Sequence, residues 1–145
     1  MPYHVSLIAV RLPHVADRND QQSEFSELSH RVIGCAIEVH RQLGPGLLEE
    51  TYKQCLAHEL RLQSISFQVE VTLPVIYKDC RLDCGYRIDI LVANALILEL
   101  KSVEQLKGIH QAQLITYLKL SGIEEGLLIN FNVVQLKDGL RRFCL

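Results

Sequence analysis

From Ser26 onward the apolar positions repeat with a helical period, and Leu28, Val32, Cys35, Ala36, Val39 and Leu43 fall on one stripe. Gly44-Pro45-Gly46 ends that helix: the first glycine suits a left-handed C-terminal cap, and the proline cannot continue the hydrogen-bonded ladder. A second helix is expected from about Leu47 to Gln63. Glu49 and Glu50 place negative charge at its positive N-terminal end, and Glu49 shares a face with Tyr52. The period then changes to two. Phe67, Val69, Val71, Leu73, Val75 and Tyr77 alternate with mainly polar residues, the pattern of a half-exposed strand, and Pro74 suggests an edge position or a bulge. After a Lys78-Asp79-Cys80 turn come two more apolar strands, then a helix near Ile109–Leu120 that puts Gln113 and Tyr117 on one face. Glu125–Phe131 is a further strand, and a Lys137-Asp138-Gly139 turn precedes a last one ending in Phe143. The order α-α-β-β-β-α-β-(β), without repeat or low-complexity linker, predicts one α+β domain with a mixed sheet.

Charge interrupts two of the apolar strands. Alternation puts Leu82, Cys84, Tyr86, Ile88, Ile90 and Val92 on one face of the middle strand, and Asp83, Gly85, Arg87, Asp89 and Leu91 on the other. In the next strand Glu99 and Lys101 share a face. A three-residue turn over Ala93, Asn94 and Ala95 sets Asp89 opposite Glu99, with Cβ atoms roughly 4.5–5.5 Å apart, whereas a two-residue turn separates the acids onto opposite faces. Three charges among Ile88, Ile90, Leu91, Val92, Leu96, Ile97, Leu98 and Leu100 carry a large desolvation cost. Two arrangements offset it. A divalent cation held by Asp89 and Glu99, with Lys101 beside an activated water, would give phosphodiester hydrolysis. A partly buried ion-pair network without metal is the equal alternative from the pattern alone.

Composition narrows the setting. A chain of 145 residues, 48% hydrophobic, has the length of one domain and enough apolar content for a core. The formal charge of −2 gives no global sign of nucleic-acid binding, so any such contact must be local. Lys107, His110 and Lys119 are a modest basic group, usual on a solvated surface. Five scattered cysteines without C-x-x-C argue for reduced thiols and a cytoplasmic setting over a disulfide framework or zinc ribbon. The Val5–Val10 run is too short to span a membrane, and residues 1–22 are expected to be a flexible tail ahead of a single domain over residues 23–145.

Gly46-Leu47-Leu48-Glu49-Glu50-Thr51-Tyr52 resembles the signature of the GxxExxY protein family, within the PD-(D/E)XK nuclease superfamily. Similar blocks are His40 through Gly46, Tyr86-Arg87-Ile88-Asp89, Glu99-Leu100-Lys101, Gln113 through Tyr117 and Gly126 through Phe131, together spanning about residues 27–143. The chain departs from the usual pattern in residues 1–22 and at Asp79-Cys80. The resemblance implies a restriction-endonuclease-like α-β-β-β-α-β core, a central mixed sheet flanked by helices, and a metal-dependent nuclease. It assigns Mg²⁺ or Mn²⁺ to Asp89 and Glu99, with the Leu100 backbone carbonyl as a further ligand and Glu49 joining directly or through a water. Lys101 would orient or deprotonate the attacking water, and Gln113, Tyr117 and Tyr52 would border the site. Arg87 is a candidate phosphate contact, with pairing to a neighbouring acid as its alternative; His40 suits a helix C-terminus without a catalytic role. The partner expected is nucleic acid, DNA ahead of RNA, with a homodimer or protein partner compatible and no membrane. The competing reading is a non-catalytic nucleic-acid-binding or protein-interaction module that keeps the fold.

Overall fold

The computed structural model describes residues 26–145; the expected tail over residues 1–22 lies outside the described residues. Ser26 starts the first helix, α1 (Glu27–Leu43), by accepting a hydrogen bond from the Ser29 amide at 3.1 Å, and the Gly44 amide closes it on the His40 carbonyl at 2.8 Å. The second helix, α2 (Glu49–Leu62), follows the Gly-Pro-Gly link. Then come β1 (Phe67–Tyr77), β2 (Cys80–Val92), β3 (Leu96–Lys101), α3 (Gly108–Ser121), β4 (Glu125–Asn130), a 3₁₀ turn (Leu136–Gly139) and β5 (Leu140–Cys144). The sequence pattern anticipated this order, with boundaries within two or three residues.

The described strands form one sheet in the spatial order β1-β2-β3-β4-β5. Only the β3–β4 pair is parallel, joined by the α3 crossover; the rest are antiparallel. Helices cover both faces. On one, Val32, Cys35, Ala36 and Val39 of α1 and Tyr52, Leu56 and Leu60 of α2 pack on Ile90, Val92, Leu96, Leu98, Leu100, Leu127 and Ile129. On the other, Leu114, Ile115, Tyr117 and Leu118 of α3 meet Leu73, Leu91, Ile97, Leu128 and Phe143. A central parallel pair buried on both sides explains why β3 and β4 read as unbroken apolar runs rather than alternating ones.

β1 is an edge strand, and its register slips between Leu73 and Val75, so Pro74 marks an edge and a bulge at once. Of the six alternating apolar residues expected to face inward along β1, only Leu73 is buried. The cause is that β3 pairs with β2 only through Ile90, Leu91 and Val92, while the hairpin continues outward with residues 80–87 of β2 exposed. Alternation also fails within β2. Ile88 packs with Leu91 on the α3 side, not with Ile90 and Val92. The β1–β2 pairing passes from Val69–Ile90 to Val71–Ile88 and leaves out Glu70 and Asp89, and Glu70 has a φ of +52°.

Candidate active site

The pairing of β2 with β3 ends at Ile90–Leu98, one step before the two acids. The turn has three residues, with Ala93 and Asn94 at positive φ (49° and 51°), so the register continues to Asp89 opposite Glu99. There side chains replace the backbone ladder. The Leu100 amide donates to Asp89 Oδ2 at 2.8 Å, and the Asp89 amide donates to Glu99 Oε1 at 3.1 Å. Each carboxylate is thus oriented by the other strand's backbone. In an extended strand a residue's N–H and C=O point to the same edge, so Leu100 also turns its carbonyl toward β2. Lys101 turns its carbonyl the other way, where it accepts from the Phe131 amide at 2.9 Å.

Electrostatically the pair is crowded. Glu99 is 2% exposed. Burial first, and then the charge of Asp89, push its carboxyl up to about 8. Burial also raises Asp89, against the Leu100 amide, Lys53, Lys101 and a hydrogen-bonding contact with the Glu99 carboxyl, all of which favour its charged form. Burial and proximity thus disfavour ionising both acids at once, so the pair titrates as a unit.

Residues converge on this opening from both faces of the sheet. Lys101, on the α3 side, donates from Nζ to Gln113 Oε1 at 3.1 Å, and Gln113 Nε2 donates to the Tyr117 hydroxyl at 2.9 Å. The i, i+4 pair read from the sequence is thus a hydrogen-bonded relay that holds the lysine. Tyr117 itself is buried, edge-on to Tyr86 at 6.1 Å, and burial raises its hydroxyl pKa. From the opposite face, α2 brings Glu49. The residue is largely exposed, yet its carboxyl feels Lys101 and Asp89, and partial desolvation raises its pKa.

Tyr52 is fully buried and does not line an open site. It stacks on Phe131 with ring centroids 4.5 Å apart, donates to the Gly44 carbonyl at 2.6 Å and accepts from the Leu47 amide at 3.2 Å. Ser102, next to Lys101, donates to the Leu47 carbonyl at 2.5 Å. The loop that delivers Glu49 is therefore fastened on both sides of Leu47. Arg87 is exposed on the projecting hairpin. His40 is buried, its Nε2 2.7 Å from the Val133 carbonyl, in agreement with a structural role. His110 Nδ1 accepts from the Lys107 amide at 3.0 Å at the start of α3.

Two residues escaped the sequence pattern. Lys53, one turn beyond Glu49, has a side chain only 13% exposed, with Nζ 2.7 Å from Glu50 and 2.9 Å from Glu70. Its i+4 spacing from Glu49 was the available signal, but an i, i+3 pair with Glu50 is what such spacing ordinarily means. Asn130 is 2% exposed. It accepts from the Val103 amide at 3.1 Å and donates to the Val103 carbonyl at 2.9 Å, fixing the chain just past Lys101.

The acidic pair suits a hard divalent cation. Burial and mutual repulsion both work against two charges here, and a hard divalent cation with oxygen ligands would offset that cost. Among the described residues no three His, Cys, Asp or Glu side chains cluster as a ready-made metal cage. An open cavity of about 360 Å³ lies elsewhere, between α1 and α2 beside Arg31, Cys35, Glu38 and Glu59, and includes none of these groups.

A family model for the PD-(D/E)XK nuclease superfamily matches residues 26–143. No curated protein and no solved structure matches the chain. The mixed sheet with helices on both faces is consistent with the restriction-endonuclease-like fold.

Proposed function

We propose, from the premise that the chain belongs to the PD-(D/E)XK nuclease superfamily, that it hydrolyses phosphodiester bonds of nucleic acid with Mg²⁺ or Mn²⁺. The observation that carries this is the meeting of Asp89 and Glu99 where β2 and β3 part, each oriented by a backbone amide of the facing strand. Asp89 and Glu99 would hold the ion, with the Leu100 carbonyl as a further oxygen donor and Glu49 acting directly or through a water. When bound, the ion supplies Lewis-acid stabilisation of charge growing on the phosphate, worth several kcal/mol at the transition state. The remaining work belongs to side chains. Lys101, steadied by Gln113 and Tyr117, presents its ammonium to the attacking water or the phosphate, and Arg87 is available to an approaching backbone from the hairpin.

We assign the chain more finely to the GxxExxY family, because its spacing has structural work here. Gly46 has a φ of +94°, Glu49 opens α2 toward Asp89, and Tyr52 ties down the loop between them. DNA rather than RNA, and a cytoplasmic setting, belong to the same proposal; no helix among the described residues is long and apolar enough to cross a membrane. In the same proposal residues 23–145 act as the nuclease unit, alone, as a homodimer or with a protein partner.

Calorimetric Mn²⁺ titration of the intact chain, Asp89→Ala and Glu99→Ala tests the metal assignment, followed by a nuclease screen against Lys101→Met. Binding in the intact chain only, and cleavage lost in Lys101→Met with Mn²⁺ binding kept, is the expected outcome. An intact chain that binds no Mn²⁺ at millimolar concentration, with or without a nucleic acid present, points instead to the non-catalytic module.

A further inference from the structure

Glu70 is the one residue of β1 held at positive φ, +52°, and it sits at the position that the β1–β2 pairing skips, across from Asp89. A non-glycine residue keeps such a conformation only where its surroundings impose it. Here the side chain of Glu70 is anchored by Lys53 Nζ at 2.9 Å. Lys53 is itself fixed by a second bond to Glu50 and is mostly enclosed, whereas both acids are more than half exposed. The ammonium is therefore a rivet between α2, which carries Glu49, and the point of β1 directly behind Asp89.

The interruption has a consequence at the acids. At this step β2 makes no regular pair on either side, since its ladder with β3 also stops at Ile90. Asp89 is left to place its amide on Glu99 and its carboxylate on the Leu100 amide. Lys53 also acts on the charge of Asp89 ahead of Lys101, and on that of Glu49. Building on the nuclease reading above, we propose that Lys53 is a positioning residue of the metal site, which through Glu70 locks the break in the β1–β2 ladder and so aims the Asp89 carboxylate. It neither binds the ion nor touches the substrate.

Two roles for Lys53 have opposite signs. If it acted only through its field, removing a positive charge beside the acids would tighten cation binding. If it holds Glu70 and, through it, Asp89, removal loosens binding. Mn²⁺ calorimetry and amide hydrogen exchange on the full chain, for the intact protein, Lys53→Met, Lys53→Arg, Glu70→Gln and the Lys53→Met/Glu70→Gln double variant, decide between them. Lys53→Met and Glu70→Gln are each expected to weaken Mn²⁺ binding about tenfold, of the order seen for groups that orient metal ligands. The double variant should lose no more than either single one, since the two residues form one unit, and Lys53→Arg should recover most of the affinity. Exchange at the Leu100 amide should accelerate in both single variants while Leu127 and Ile129 in β4 stay protected.

Tighter Mn²⁺ binding in Lys53→Met, or unchanged Leu100 exchange, overturns the proposal. A Lys53→Met chain that fails to fold shows itself by lost protection in β4, and the near-isosteric Glu70→Gln then decides by Leu100 exchange, because losing its negative charge weakens Mn²⁺ binding on either account. An intact chain that binds Mn²⁺ but cuts no nucleic acid defeats the nuclease reading while the affinity order upholds the role of Lys53. An intact chain that binds no Mn²⁺ defeats the metal role for both.

Discussion

Replacing Glu99 by glutamine should make the metal-free protein more stable, in a pH-dependent way. The carboxyl is held at about 8 in the folded chain against an ordinary 4.5, because it is 2% exposed and faces Asp89. Below about pH 4.5 both folded and unfolded chains carry the proton and there is no cost. Between there and about 8 the unfolded chain ionises while the folded one keeps its proton, so stability falls as pH rises. Above about 8 the folded state bears the whole penalty, on the order of 5 kcal/mol for that displacement. Coupling to Asp89 spreads it over the pair. Glutamine keeps an oxygen for the Asp89 amide and offers an N–H to the Asp89 carboxylate, without the second charge. Urea unfolding in EDTA should find Glu99→Gln and the parent nearly equal near pH 4.5 and the variant more stable by about 2–5 kcal/mol at pH 9. Added Mn²⁺ should then raise the parent's midpoint and leave the variant's unmoved. A variant less stable than the parent at pH 9, or a difference independent of pH, would refute the electrostatic account of the site.

Gln113→Ala should slow turnover by about 10–100-fold by releasing Lys101, with Mn²⁺ affinity unchanged; single-turnover cleavage beside calorimetry checks it, and a matching loss of metal binding would count against the relay. Tyr52→Phe leaves the stacking on Phe131 and removes the hydroxyl from the Gly44 carbonyl and the Leu47 amide, so thermal unfolding should report a loss of about 1–3 kcal/mol. Full stability in that variant would mean the loop is held by Ser102 alone. Gly139→Ala would drive a Cβ into the Asn130 carbonyl oxygen, and denaturant unfolding should find a cost of about 2 kcal/mol or more.

What the sequence determined by itself was whatever short-range rules govern. The helical stripe from Leu28 to Leu43 and its stop at Gly44-Pro45 follow from period and from two residues' backbone preferences. The register of Asp89 against Glu99 was legible only as a condition on turn length, and the three residues 93–95 that the turn uses in the structure set it. Tertiary structure decided what depends on partners distant in sequence. Alternation placed Ile88 with Ile90, but the break opposite Glu70 sends it to the other core, and a positive φ at a glutamate has no sequence signature. Tyr52 shares a helix face with Glu49, yet packing on Phe131 makes it a buried anchor. The carboxyl of Glu99 is pushed up to about 8 because the fold buries it and sets it against Asp89. Lys53 joins the site only because α2 lies against β1. Period and turn chemistry act over a few residues, whereas desolvation and charge pairing depend on everything the fold brings within several ångströms, and here that is where the chemistry lies.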